Sequence, residues 1–300
     1  MDEDAIQDYD KVVALDNKNY DAHYQRGLIY NILGFYPDAM NDFVKCAQLK
    51  PGAEIDYITG VIESKLGNEE KAIKYFTNAI KFDKNNIHYY FHRADSKIKL
   101  GKYTEALEDL AICKSMDSTD AHVYHKMGLA NHNLKNYDKA IAEYNKAIEL
   151  NPIVNDFHYH RGKTYLAIGN YEEAAKDFSM VIELDPENMD PYLNRAGAYT
   201  ALGKYSDAEA DYSKYIEMNP GNFSIYQKRA DVRLSLKNYE AALSDLDKSI
   251  ELKPENGTAY HNRGIVEFNL DKKDAACKDF KKSGELGYIE TSEEAKKSCE

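Results

Sequence analysis

Histidine, arginine and aspartate are the residues of this chain whose spacing could do chemistry. His88 and His92 stand one helical turn apart, and His122 and His125 repeat the theme as HxxH, so a helix would present two imidazoles on one face to a metal ion. No cysteine or carboxylate completes a zinc signature around them, and zinc sites take three or four protein ligands, so no metal is expected. The histidines read instead as neutral polar surface with some pH sensitivity. Arg26, Arg93, Arg161, Arg195, Arg229 and Arg263 would make a ladder of anion-binding guanidinium groups. Yet each is followed sixteen residues later by Asp42, Asp109, Asp177, Asp211, Asp245 or Asp279. Where the series lacks arginine, at Thr59 and Met127, the partner position holds Tyr75 or Glu143. That joint loss predicts internal ion pairs, since such groups are rarely buried unpaired. The sequence has no GxSxG, GxxxxGK[ST] or HExxH, so neither catalysis nor a cofactor is expected.

The elements that must position these residues recur with one period. An alanine opens a helix at Ala5, Ala39, Ala72, Ala106, Ala140, Ala174, Ala208, Ala242 and Ala276, a step of 34 broken once by a step of 33. Twelve residues earlier stands a small residue (Gly27, Gly60, Ala94, Gly128, Gly162, Ala196, Ala230, Gly264), and four residues later a large one such as Phe43, Phe76, Leu110 or Phe178. Small facing large across two helices is what interdigitated packing requires. Pro51, Pro152, Pro186, Pro220 and Pro254 close second helices, while Pro37 and Pro191 fall where helices begin. The turns within pairs read LGFY, LGNE, LGKY, LKNY, IGNY, LGKY, LKNY and LDKK, with Gly, Asn or Asp available for the reversal. Helices without strands are predicted, stacked so that neighbours bury what a single pair cannot.

The small residue, the helix-opening alanine, the aromatic and the closing proline resemble the columns of the tetratricopeptide repeat family, over nearly the whole chain. The absence of tryptophan is a departure; Tyr24, Tyr57, Tyr90, Tyr124 and Phe157 serve in the first helices. The resemblance implies an all-α right-handed solenoid over residues 1–300, with a half repeat at 5–19, eight repeats at about 20–288 and a capping helix at about 290–299. It also places first helices, which hold all nine histidines, on a concave groove, with His92, His125, His160 and His261 near it. The family's carboxylate clamp survives only in fragments. Asn194 stands in its asparagine column and Lys228 replaces its arginine; Tyr159 and Ser224 stand where lysines belong, and Lys163 where an asparagine belongs.

A net charge of −12 and a pI near 5.3 argue against nucleic acid as the main partner. The chain has no 18-residue apolar run and no leader pattern, so no membrane span and a cytoplasmic location are expected. The start inside a second helix suggests a longer parent protein, and a trimmed leader would make the chain periplasmic or exported instead. Cys46 and Cys113 occupy a small column and read as buried packing residues. Cys277 and Cys299 flank the terminal helix and could be joined outside the cytosol. The ending from Ala276 to Cys299 resembles the close of some bacterial exported family members.

The function expected is a non-catalytic scaffold or adaptor that takes a protein or peptide ligand, with groove contacts at His92, His125, Lys126, Tyr159, Lys163, Asn194, Gln227, Lys228 and Asn262. The alternatives are a self-associating structural scaffold and the regulatory region of a larger protein.

Overall fold

Apolar residues at helical spacing, interrupted every few turns by a reversal, can build only short helices. The computed structural model describes residues 2–288 together with Lys297 and Cys299; among them it contains seventeen helices and no strand. The chain divides into two compact units, Met1–Pro152 and Ile153–Glu300. The first holds α1 (Asp2–Leu15) and four pairs: α2 (Tyr20–Ile32) with α3 (Tyr36–Leu49), α4 (Ala53–Lys65) with α5 (Glu69–Phe82), α6 (Ile87–Lys99) with α7 (Tyr103–Met116), and α8 (Ala121–Asn133) with α9 (Tyr137–Leu150). The second holds α10 (Asn155–Ala167) with α11 (Tyr171–Leu184), α12 (Asp190–Ala201) with α13 (Tyr205–Met218), α14 (Phe223–Ser235) with α15 (Tyr239–Leu252), and α16 (Gly257–Asn269) with α17 (Lys273–Glu285). The expected capping helix falls on residues 290–299, of which 290–296 and 298 lie outside the described residues.

Local chemistry sets the helix ends. Asn19, Asn86, Asp120 and Asn222 each accept a backbone N–H from the first turn of the helix that follows. The reversals inside pairs need one residue at positive φ. Gly34, Gly67, Gly101, Gly169 and Gly203 supply it, but in the LKNY turns it is Lys135 (φ 61°) and Lys237 (φ 59°), not the neighbouring asparagine. The residue right after the C-cap must turn left-handed wherever it falls, and helix packing compels lysine to do so against its preference.

Within each pair the small residue of the first helix lies under the large residue of the second, a ring except at Leu110 and Leu246. A Cβ on Gly60 would come within 2.7 Å of the Phe76 ring, and one on Gly128 within 2.5 Å of the Tyr144 ring. The helix-opening alanines from Ala39 to Ala276 are completely enclosed. Within the first unit α4 touches α6 and α6 touches α8; within the second, α10 touches α12 and α14 touches α16. Successive second helices approach each other less closely, so first helices form the inner side of each stack.

Cysteine takes two roles. Cys46 and Cys113 are buried, their thiols donating to the Tyr20 and Ile87 carbonyl oxygens at 3.8 and 3.7 Å, and burial pushes both thiols up to about 12. Cys277 of α17 is bonded to Cys299.

Candidate protein-binding face

The arginines of the ladder are occupied internally. In all six repeats that carry the pair, Nε and Nη2 of the arginine donate to the two carboxylate oxygens of its aspartate at 2.6–2.9 Å. This is the bidentate fork that only guanidinium supplies. The sequence reading missed the third nitrogen. Nη1 reaches back to the preceding second helix: Arg26 to Asp10, Arg93 to Thr77, Arg195 to Ser179, Arg229 to Ser213 and Arg263 to Asp247, at 2.6–3.1 Å. One side chain thus closes its own repeat and fastens it to the one before. The signal was in the sequence, because these acceptors all stand five residues after the helix-opening alanine. Val44 and Ala111 hold that position ahead of Thr59 and Met127, the two repeats without arginine.

With the arginines accounted for, the first-helix face carries the remaining polar chemistry, and the small residue of each first helix serves as its reference point. Tyr24, Tyr57, His125, Tyr159 and His261, each three before it, pack on the aromatic of their own second helix. His125 lies there with its ring centroid 5.9 Å from that of Tyr144, and His261 5.4 Å from Phe280; both are buried rather than presented to a ligand. Tyr159 stands 5.9 Å from Phe178 yet keeps its hydroxyl at the surface of α10, where it accepts from Nδ2 of Asn194 at 3.2 Å. Gln227, in the same column of α14, accepts from Asn256 at 3.1 Å.

Among the residues two before the small residue, Lys126, Asn194 and Asn262 bridge repeats. Lys126 of α8 is paired with Asp95 of α6, and Asn262 of α16 donates to Asp231 of α14 at 2.9 Å. Asn194 also donates to the Asp190 carbonyl at 3.0 Å. His92 is wedged among Tyr57, Phe76 and Phe91, and this burial lowers its pKa against the opposing pull of Asp95. Lys163 is exposed with Nζ 5.7 Å from the Tyr159 ring centroid, and Lys228 is exposed beside Asp231. Among the described residues, neither lysine forms an ion pair.

Asp231 combines two environments. Its side chain meets solvent, yet the protein crowded around it raises its carboxyl to about 6, ahead of the downward pull of Asn262 and Lys228. Its openness to water keeps the energetic weight of that shift small. Among the described residues, no three or more of His, Cys, Asp and Glu gather as a metal ion would need.

The face is therefore a wall of inner helices held in register by side-chain bonds one repeat apart, with two lysines left outward. Family models described as tetratricopeptide repeat match residues 156–188 and residues 57–86, 190–222 and 223–256; a TPR repeat model matches 132–169. The chain is a tetratricopeptide repeat protein. No curated protein matches it. Among solved structures it is similar to MamA (25% identity over 53% of this chain and 94% of that one, TM-score 0.52). It is also similar to YrrB, titled a TPR protein with an unusual peptide-binding site (22%, 62% and 96%, TM-score 0.57). A third likeness is to the C-terminal part of a TPR repeat-containing protein from Cytophaga hutchinsonii (21%, 80% and 98%, TM-score 0.68). At such identities the last two likenesses show the tetratricopeptide fold alone.

Proposed function

We propose that this tetratricopeptide repeat protein is a non-catalytic interaction scaffold that takes an extended peptide or a partner helix along the first-helix face of its second unit. The observation that carries this reading is the pair of outward lysines, Lys163 and Lys228, on a face whose other donors already fix the helices in register. A wall arranged before binding loses little conformational freedom when a ligand arrives, and each repeat need add only a few contacts. YrrB, described as a TPR protein with an unusual peptide-binding site, is consistent with such a use of the fold.

Replacing Lys163 and Lys228 together by glutamate should abolish capture of the partner while leaving helical circular dichroism and the melting temperature nearly unchanged. Both side chains are exposed, so their charge reversal touches the ligand and not the core. Undiminished capture by the double variant would remove this face from consideration.

The Cys277–Cys299 bond supports an oxidising compartment in place of the cytoplasm. No helix among the described residues is long and apolar enough to cross a membrane. Intact mass of protein recovered from its native compartment should rise by two hydrogens on reduction; an unchanged mass would return the chain to a reducing environment.

A further inference from the structure

Glycine inside a helix costs stability, because its backbone loses the most freedom on ordering, so a helical glycine needs a reason. Gly27, Gly60, Gly128, Gly162 and Gly264 have one: a Cβ there would meet the ring of the paired second helix at 3.1 Å or less. Gly34, Gly67, Gly101, Gly169, Gly203 and Gly287 stand at positive φ, and Gly257 is closed off by Tyr288. Gly197 has neither reason. It lies in the middle of α12, exposed, without positive φ, and no atom stands within 4 Å of where its Cβ would be. Gly284 is similarly open but sits in the last turn of its helix, where a break is harmless.

Gly197 occupies the position just after the small residue of a first helix. The other first helices carry a side chain there, from Leu28 to Ile265, and the neighbours on either side of Gly197 are Lys163 and Asp231. One turn before Gly197 on the same face stands Asn194, bonded to Tyr159 of α10. The glycine is thus a notch in the row of side chains, flanked by Lys163 of α10 and by Asp231 of α14, with Lys228 one turn before Asp231.

We propose that Gly197 is the place where the main chain of an extended, acidic partner segment lies directly against α12, with one acidic side chain on Lys163 and a second on Lys228. The proposal rests on the reading of this face as the binding site and says what kind of ligand it takes. Packed helix axes lie about 8–10 Å apart, and α12 and α14 approach less closely than α10 and α12, so α10 and α14 are separated by roughly 20 Å. An extended chain covers about 3.3–3.6 Å per residue, so the two acidic residues stand about six positions apart. Any side chain at position 197 would hold the segment off the helix. Asp231, on the far side of the notch, offers an acceptor to a main-chain N–H of the same segment.

The test uses random linear peptides displayed on phage and selected against the full chain, followed by fluorescence anisotropy of the selected peptides. The selected sequences should carry two acidic residues about six positions apart. Gly197→Leu should weaken their binding at least about tenfold. Gly197→Ala should weaken it less while raising the melting temperature by about 2 °C, because alanine is the better helix former at an open position. A variant that gains stability as it loses affinity marks a residue kept for its ligand. If both Gly197 variants bind as the parent does while K163E/K228E binds weakly, the notch is refuted and the face stands. If all three variants bind unchanged, or no peptide is selected, both the notch and the face are refuted.

Discussion

Arg195→Ala is expected to destabilise the chain by about 3 kcal/mol, the usual result of leaving one partner of a buried pair alone. Asp211 is almost fully enclosed, and Arg195 is the residue that answers both its oxygens, at 2.8 and 2.7 Å; that hydrogen bond is also what raises the arginine pKa. The same change elsewhere should cost less. After Arg229→Ala, Asp245 keeps Nη1 of Arg233 at 2.8 Å, and after Arg93→Ala, Asp109 keeps Nζ of Lys97 at 2.8 Å. Removing Arg195 and Asp211 together should cost less than removing the arginine alone, since no uncompensated carboxylate remains. Urea denaturation of the four members of the cycle measures this. Simple additivity of the two single changes would contradict the ion-pair account, and equal losses at Arg195, Arg229 and Arg93 would contradict the role given to the backup cations.

Gly60→Ala is expected to destabilise by about 2 kcal/mol, although alanine is the better helix former. The added methyl would lie 2.7 Å from a Phe76 ring that is fully enclosed and packed on Tyr57 and His92, so it has nowhere to retreat. The chain already contains the remedy. Ala94 and Ala230 face Leu110 and Leu246, whereas Gly27, Gly60, Gly128, Gly162 and Gly264 face rings. Adding Phe76→Leu to Gly60→Ala should therefore recover about 1 kcal/mol relative to Gly60→Ala alone. Ala196, which faces Tyr212, marks how far a ring can yield. Thermal or urea unfolding of the double variant that shows no recovery would refute the size-matching argument.

How much the sequence told depended on whether a residue's partner lies in the same repeat. Columns whose two halves sit together, such as the Arg/Asp pairs and the glycine under its ring, were legible because they are present or absent jointly. The reach of Nη1 into the preceding repeat went unread for want of comparing residues across the repeat boundary, although Val44 and Ala111 recorded it. Groove membership was harder. His125 and Tyr159 share a column three before the small residue, and both rings pack on a second-helix aromatic. Tyrosine is long enough to carry its hydroxyl past that contact to Asn194, and histidine is not. Side-chain reach, invisible to periodicity, decided which of them faces outward. The left-handed lysines Lys135 and Lys237 were missed similarly, because tertiary packing overrode a local preference.

The central claim is that a partner covers the first helices of the second unit and leaves the second helices bare. Lysine acylation read by mass spectrometry tests it most directly, since Lys163 of α10 and Lys228 of α14 are exposed on one face, and Lys176 of α11 and Lys214 of α13 are exposed on second helices. With the captured partner bound, Lys163 and Lys228 should be protected while Lys176 and Lys214 react as in the free chain. Protection of Lys176 and Lys214 with Lys163 and Lys228 still reactive would contradict the account.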